Sequence, residues 1–254
     1  MLVPALLLPL GMILGSFVSA VTHRLPRGES FVGGRSRCPG CGATIAAHDN
    51  VPVVSWLVLR GRCRSCGERI SMRYPLAEVG LGLLYVGTFV ALDGEGAGQV
   101  VLGLALCTVL VAVTLTDLDL RVIPNVLVAA GAVAALAIAA VVDPSSLPER
   151  AISALAAGGA LFAVALAYPR GMGMGDAKLV AMMGLYLGRE IAPAVLIGFA
   201  AGALVGAALI ARHGAGARKQ GIPFGPFLAL GGVVALWFGE AIVDWYSDQF
   251  LAGA

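Results

Sequence analysis

Residues 2–21 read LVPALLLPLGMILGSFVSAV, a run of 20 residues without a charge. At ~1.5 Å rise per residue, a helix of ~20 residues crosses the ~30 Å hydrocarbon core of a bilayer, so this stretch reads as a membrane helix. Positive charge follows it, at His23-Arg24 and Arg27. A secretory leader carries its basic residues ahead of the apolar core and a small-residue cleavage site behind it. The reverse order here predicts a retained helix with its N-terminus outside.

Working outward, further apolar segments run near 75–92, 100–116, 126–142, 151–167, 177–188, 192–211 and 226–245. With the first they predict an all-α, polytopic membrane helix bundle of about eight transmembrane helices. The segment 177–188 is short, so its ends are expected to be tilted, buried or broken. Composition points the same way: hydrophobic residues are 59% and charged residues 13%, against roughly 25% charged in ordinary globular domains. Soluble enzymes and disordered chains are excluded. A net charge of +2 also argues against nucleic-acid binding driven by bulk charge.

Position is what makes the charges informative. Alternating the spans from an outside N-terminus puts the connections 22–74, 117–125, 168–178 and 212–225 on the cytoplasmic side, and 93–99, 143–150 and 189–191 opposite. Of the 17 Lys and Arg residues, all but Arg150 and Arg189 then fall on the cytoplasmic side, as the positive-inside rule requires. The expected organisation is a first transmembrane helix at 1–21, a cytoplasmic segment at 22–74, and a transmembrane core at 75–254. Gly11 and Gly15, Gly184 and Gly188, and Gly198, Gly202 and Gly206 each repeat at four residues. Small residues on one helix face allow close backbone approach, here expected within the monomer rather than between copies.

The segment 22–74 holds Cys38-Pro-Gly-Cys41 and Cys63-Arg-Ser-Cys66, each followed by glycine, Gly42 and Gly67. Two such knuckles suit a tetrahedral Zn²⁺, since each tight turn presents two thiolates. Disulfides or unpaired thiols are the alternatives, and a reducing cytoplasm disfavours disulfides. Four thiolates fill the coordination shell, so the zinc is expected to be structural. His23 and His48 are not needed as ligands, and Cys107 reads as a small buried side chain.

Three carboxylates sit at the ends of apolar runs, where desolvation is expensive. Asp117 and Asp119 lie in Thr116-Asp-Leu-Asp-Leu-Arg-Val-Ile-Pro-Asn125, and Asp176 in Gly171-Met-Gly-Met-Gly-Asp-Ala-Lys178. Two carboxylates together could share one proton and activate water, one as base and one as acid. The glycines ahead of Asp176 would let a substrate backbone approach. Helix capping explains the same residues equally well from spacing alone, and a membrane transporter or scaffold would also carry such groups. Asp117 and Asp119 point to roughly opposite sides of a helix, so at most one faces Asp176.

Together these residues resemble the type IV prepilin peptidases, the prepilin leader peptidase/N-methyltransferases, membrane aspartyl proteases of the Gly-x-Gly-Asp type. The motifs occur in order: Gly15-Ser-Phe-Val-Ser-Ala-Val-Thr-His-Arg-Leu-Pro26, both Cys pairs, Asp49-Asn-Val-Pro-Val-Val-Ser-Trp-Leu57, Leu59-Arg-Gly-Arg-Cys63, Arg73-Tyr-Pro-Leu-Ala-Glu78, the Asp117 segment, Gly173-Met-Gly-Asp-Ala-Lys-Leu179 and Ile222-Pro-Phe-Gly-Pro226. The resemblance implies Asp117 and Asp176 as the catalytic pair, with Asp119 a helix-end residue. Gly173, Gly175 and Lys178 are candidates to contact substrate. It further implies cleavage of the basic leader from type IV prepilin or pseudopilin precursors at the cytoplasmic membrane face, in contact with membrane lipid. Methylation of the new N-terminus from S-adenosylmethionine would follow in a bifunctional member. The family commonly has Asn where Ser19 stands, a departure that bears on methylation; a peptidase without that second activity is the alternative. Glu78 is a candidate for the methyl-donor site or a salt-bridge partner of Arg73 or Arg69. Oligomeric state is not encoded in these motifs.

Overall fold

The computed structural model describes residues 2–25, 28, 36–169, 171–213 and 222–250; Pro26, Arg27, Arg35, Arg170, Arg218 and Lys219 lie outside them. The chain divides into two compact units, residues 1–90 and 91–254.

The first unit carries α1 (Leu2–Arg24), a five-residue helix α2 (Val54–Val58) and α3 (Arg73–Ala91). A Cβ at Gly11 would stand 2.7 Å from Gly82 Cα, and one at Gly15 2.8 Å from Glu78 Cα. The glycine face of α1 is therefore spent on backbone contact with α3 inside the chain. Between α1 and α3 the only ladder pairings among the described residues are two isolated antiparallel bridges, Arg37 with Thr44 and Arg62 with Arg69. Each closes a cysteine knuckle.

The second unit contains α4 (Ala97–Leu120), α5 (Asn125–Val142), α6 (Leu147–Ala167), α7 (Met174–Leu187), α8 (Ile191–His213) and α9 (Gly225–Phe250). Helix α7 packs on α6, α5, α9 and α4, and α8 packs on α9. Leu179, Val180, Met182 and Met183 of α7 are buried against Leu106, Leu110 and Val113 of α4 and Leu228 of α9. This central position explains the short segment: 14 residues give only ~21 Å of helix, less than the ~30 Å hydrocarbon core. At its last turn the buried Arg150 of α6 donates to the carbonyls of Leu185 and Tyr186. The chain then turns at Gly188, whose φ of 59° favours glycine.

Seven helical runs among the described residues are long and apolar enough to cross a membrane, one of them being Met174–His213. The break at Gly188 divides that run into α7 and α8, the two segments separated in the hydropathy reading. Close approach also explains Gly184, where a Cβ would meet Ala154 Cα at 2.6 Å, but not the whole glycine pattern. Gly188 serves the turn, and Gly206 faces open space. The protein is all-α and multi-pass, as the hydropathy pattern predicts.

Candidate active site and metal centre

Asp117 lies in the last turn of α4 and is buried, with 5% of its surface exposed. Asp119, two residues on, is exposed. The helical turn of ~100° per residue separates them, so only one faces the interior of the second unit. That one accepts a hydrogen bond: the Gly225 N–H at the start of α9 donates to Asp117 Oδ2 at 2.7 Å.

Asp176 stands at the third position of α7, whose N-cap is Gly173. Its carboxylate accepts the Gly173 N–H and lies within electrostatic range of Asp117. The backbone bond is the reach-back half of a capping box, with Asp in the place Glu usually takes. Capping and a chemical role therefore coexist in one side chain. Each carboxylate faces the positive end of a helix, Asp117 at α9 and Asp176 at α7, which offsets part of their mutual repulsion.

The glycines of the Gly-Met-Gly-Asp turn do different things. A Cβ at Gly173 would stand 3.1 Å from Asp176 Oδ2, whereas one at Gly175 would stand 3.2 Å from Ile123 Cβ. The space kept free by Gly175 thus lies toward the Asp117–Asn125 segment. Lys178 points to that segment too, donating from Nζ to Asn125 Oδ1 at 3.1 Å. The structure brings Asp117, Asp176, Gly173, Gly175 and Lys178 to one end of the helix set in the second unit. Sequence reasoning gave no role to Gly225, although the Pro-Phe-Gly-Pro motif marked the place.

In the first unit, the sulfur atoms of Cys38, Cys41, Cys63 and Cys66 all lie within 4.8 Å of one another. The two knuckles repeat one hydrogen-bond pattern. Cys38 N–H donates to Ala43 O and Gly42 N–H to Cys38 O; Cys63 N–H donates to Glu68 O and Gly67 N–H to Cys63 O. Gly42 and Gly67 have φ of 70° and 74°, which is why each knuckle ends in glycine. The Cys38–Cys66 sulfur separation is 3.7 Å. Tetrahedral Zn–S bonds of ~2.3 Å place sulfurs ~3.8 Å apart, whereas a disulfide needs ~2.05 Å. The donor set and spacing therefore fit zinc. The N–H groups of Cys66 and Ser65 lower the Cys63 thiol to about 7. Cys66 is pushed up to about 12: its hydrogen bond from Glu68 N–H opposes the shift, and burial and the other three thiols outweigh it.

Around the knuckles, Arg64 makes a two-pronged bond to Asp49, Nε to Oδ2 at 2.8 Å and Nη2 to Oδ1 at 2.7 Å. That bond holds the Asp49 carboxyl below its ordinary value. Trp56 Nε1 donates to Ile70 O at 3.1 Å. Glu78 is buried, and Val53 N–H donates to its Oε2 at 2.7 Å. His48 is exposed, with Nε2 3.6 Å from Asp49 Oδ1, outside the thiol cluster.

A multi-pass helical protein with two carboxylates at neighbouring helix ends and a four-thiol cluster is the class of protein that the fold and these sites define. The comparisons specify the kind. Residues 10–92 match the bacterial peptidase A24 N-terminal domain, and residues 104–211 match the type IV leader peptidase family. The chain is 36% identical to the prepilin leader peptidase/N-methyltransferase of Aeromonas hydrophila, over 94% of this chain and 92% of that one. It is 33% identical to the protein of the same name from Bacillus subtilis (strain 168), over 95% and 96%. No solved structure matches the chain. The chain belongs to the type IV leader peptidase family and is an enzyme of that kind.

Proposed function

We propose that the protein is a membrane-embedded aspartyl endopeptidase that removes the basic leader from type IV prepilin-like precursors at the cytoplasmic membrane face. The observation that carries this reading is the meeting of Asp117 and Asp176, far apart in sequence, at one end of the second unit. Like charges this near share one proton cheaply. The ionised member takes a proton from water, and the resulting hydroxide attacks the scissile carbonyl. The protonated member gives its proton to the amide nitrogen as the C–N bond breaks, releasing the leader as a carboxylate and the mature chain with a new amine. Gly173, Gly175 and Lys178 line the approach to Asp176.

The topology supports the same reading. With residues 1–21 as the first transmembrane helix, 22–74 cytoplasmic and 75–254 the peptidase core, the Lys and Arg distribution favours a position for both carboxylates at the cytoplasmic edge of the bacterial inner membrane. A prepilin presents its cleavage site there, between a basic leader and an apolar helix. Zinc held by Cys38, Cys41, Cys63 and Cys66 is structural, since four thiolates leave no position for water.

The relatives' second name adds methylation of the new N-terminus, with S-adenosylmethionine supplying the methyl group. A cavity of about 500 Å³ in the first unit, lined among others by Ser16, Arg24, Asn50 and Pro52, has the size of a small-molecule site. Arg24 and Asn50 would hold the donor's carboxylate and polar edge. Incubating membranes with a prepilin peptide and labelled methyl donor, then weighing the product, tests both activities. Asp117→Asn and Asp176→Asn should each abolish leader loss while the protein still inserts. Full cleavage by either variant would remove the pair from the mechanism.

A further inference from the structure

The hydrolysis as proposed gives no part to Ile222-Pro-Phe-Gly-Pro226, yet this segment makes the hydrogen bond that Asp117 Oδ2 receives. The start of a helix leaves several N–H groups without intrahelical partners. At α9, Phe227 and Leu228 donate to Phe224 O, at 3.0 and 3.2 Å, and Pro226 has no N–H to give. Gly225 N–H is the remaining donor of this turn, and it is spent on Asp117 at 2.7 Å. Space enforces the residue type as well. A Cβ at Gly225 would fall 2.8 Å from Asp117 Oδ2 and 3.2 Å from both its Cβ and its Cγ.

We propose that Gly225 is a positioning residue for the peptidase reaction: its N–H fixes the Asp117 carboxylate, and its missing side chain leaves the room in which that carboxylate sits. The inference rests on the reading of Asp117 as a catalytic group. The two prolines flanking Phe224-Gly225 restrict the chain entering α9, so the donor is presented in one orientation.

The test uses purified full-length enzyme and a prepilin peptide. Gly225→Ala should lower kcat about 10- to 100-fold, the scale of displacing a reacting group by up to ~1 Å, with KM within about twofold, because substrate docking is untouched. Gly232→Ala, in the same helix, meets the ends of two flexible side chains, Met183 Cε at 2.7 Å and Leu110 Cδ1 at 3.1 Å, and should keep kcat within about twofold, since both can repack away from Asp117. A thermal-unfolding cycle covers the case in which Gly225→Ala folds poorly. The alanine should lower Tm in the wild-type background and lower it less in Asp117→Ala, where the carboxylate is gone and only the Cβ contact at 3.2 Å remains. A wild-type kcat for Gly225→Ala, a rise in KM at constant kcat, or an equal Tm loss in both backgrounds overturns the inference. Failure of the wild-type protein to cleave any prepilin peptide, or full activity of Asp117→Asn, instead overturns the function it rests on.

Discussion

Gly173→Ala is the sharpest perturbation of the carboxylate pair, because it changes one contact and leaves the backbone bond to Asp176 in place. The added Cβ would stand 3.1 Å from Asp176 Oδ2, tighter than ordinary van der Waals contact, so the carboxylate must yield by a few tenths of an ångström. Catalytic groups tolerate about 0.5 Å of displacement, and ~1 Å costs about 100-fold. A shift of a few tenths should therefore lower kcat about three- to tenfold, or ~0.7–1.4 kcal/mol of transition-state stabilisation. Initial rates of leader removal by purified enzyme, measured across peptide concentration, read the effect directly. KM should change less than kcat, since the perturbed atom is a reacting one. A kcat for Gly173→Ala equal to wild type, alongside an inactive Asp176→Asn, would show that the turn leaves Asp176 free to reorient and that the N-cap bond does not hold it.

Gly175→Val should reduce turnover with zinc content and expression intact, through pressure on Ile123, 3.2 Å from the new Cβ; near-normal cleavage would mean that the glycine serves only to start α7. Serine at Cys38, Cys41, Cys63 or Cys66 should lower bound zinc below one equivalent and raise protease susceptibility of residues 36–72, checked by metal analysis and limited proteolysis; disulfide-bonded cysteines in the native protein would defeat both the metal assignment and the cytoplasmic placement. Gly184→Val should destabilise the second unit by about 1–3 kcal/mol, because its Cβ meets the Ala154 backbone at 2.6 Å and not a movable side chain; an unchanged unfolding midpoint in detergent would show that α6 and α7 separate without cost.

The helices were legible because each must bury its own backbone polarity in lipid and so announces itself as an apolar run. Their polar ends were less so. Asp117, Asp119 and Asp176 lie beyond the hydropathy-defined segments, yet the backbone stays helical through all three, since hydropathy reads side chains and helix geometry does not. The cysteine knuckles were legible down to their glycines, because spacing within each turn is local. Contacts across the chain were not. Spacing left capping and chemistry balanced at Asp176, and the structure has the one side chain reach back to Gly173 while lying in range of Asp117. Periodicity separated Asp117 from Asp119 but could not choose between them; burial of Asp117 and exposure of Asp119 follow from how α4 meets α7 and α9.

The short α7 ties these features together. Short as it is, α7 has its N-terminal turn in electrostatic range of Asp117 and its C-terminal carbonyls held by Arg150. Burial on nearly all sides fixes its height and rotation, since Leu179, Val180 and Met183 are fully enclosed. Asp176 is then placed by a packed core rather than by a loop, which is the support a two-carboxylate site needs to keep its groups within half an ångström of working geometry. The same burial makes the Asp117 carboxylate costly, and the N–H groups at the starts of α7 and α9, with Arg121 one turn beyond Asp117, compensate part of that cost. Backbone N–H groups at two helix starts thus hold the two carboxylates, which on the proposed reading would share one proton and take the next from water.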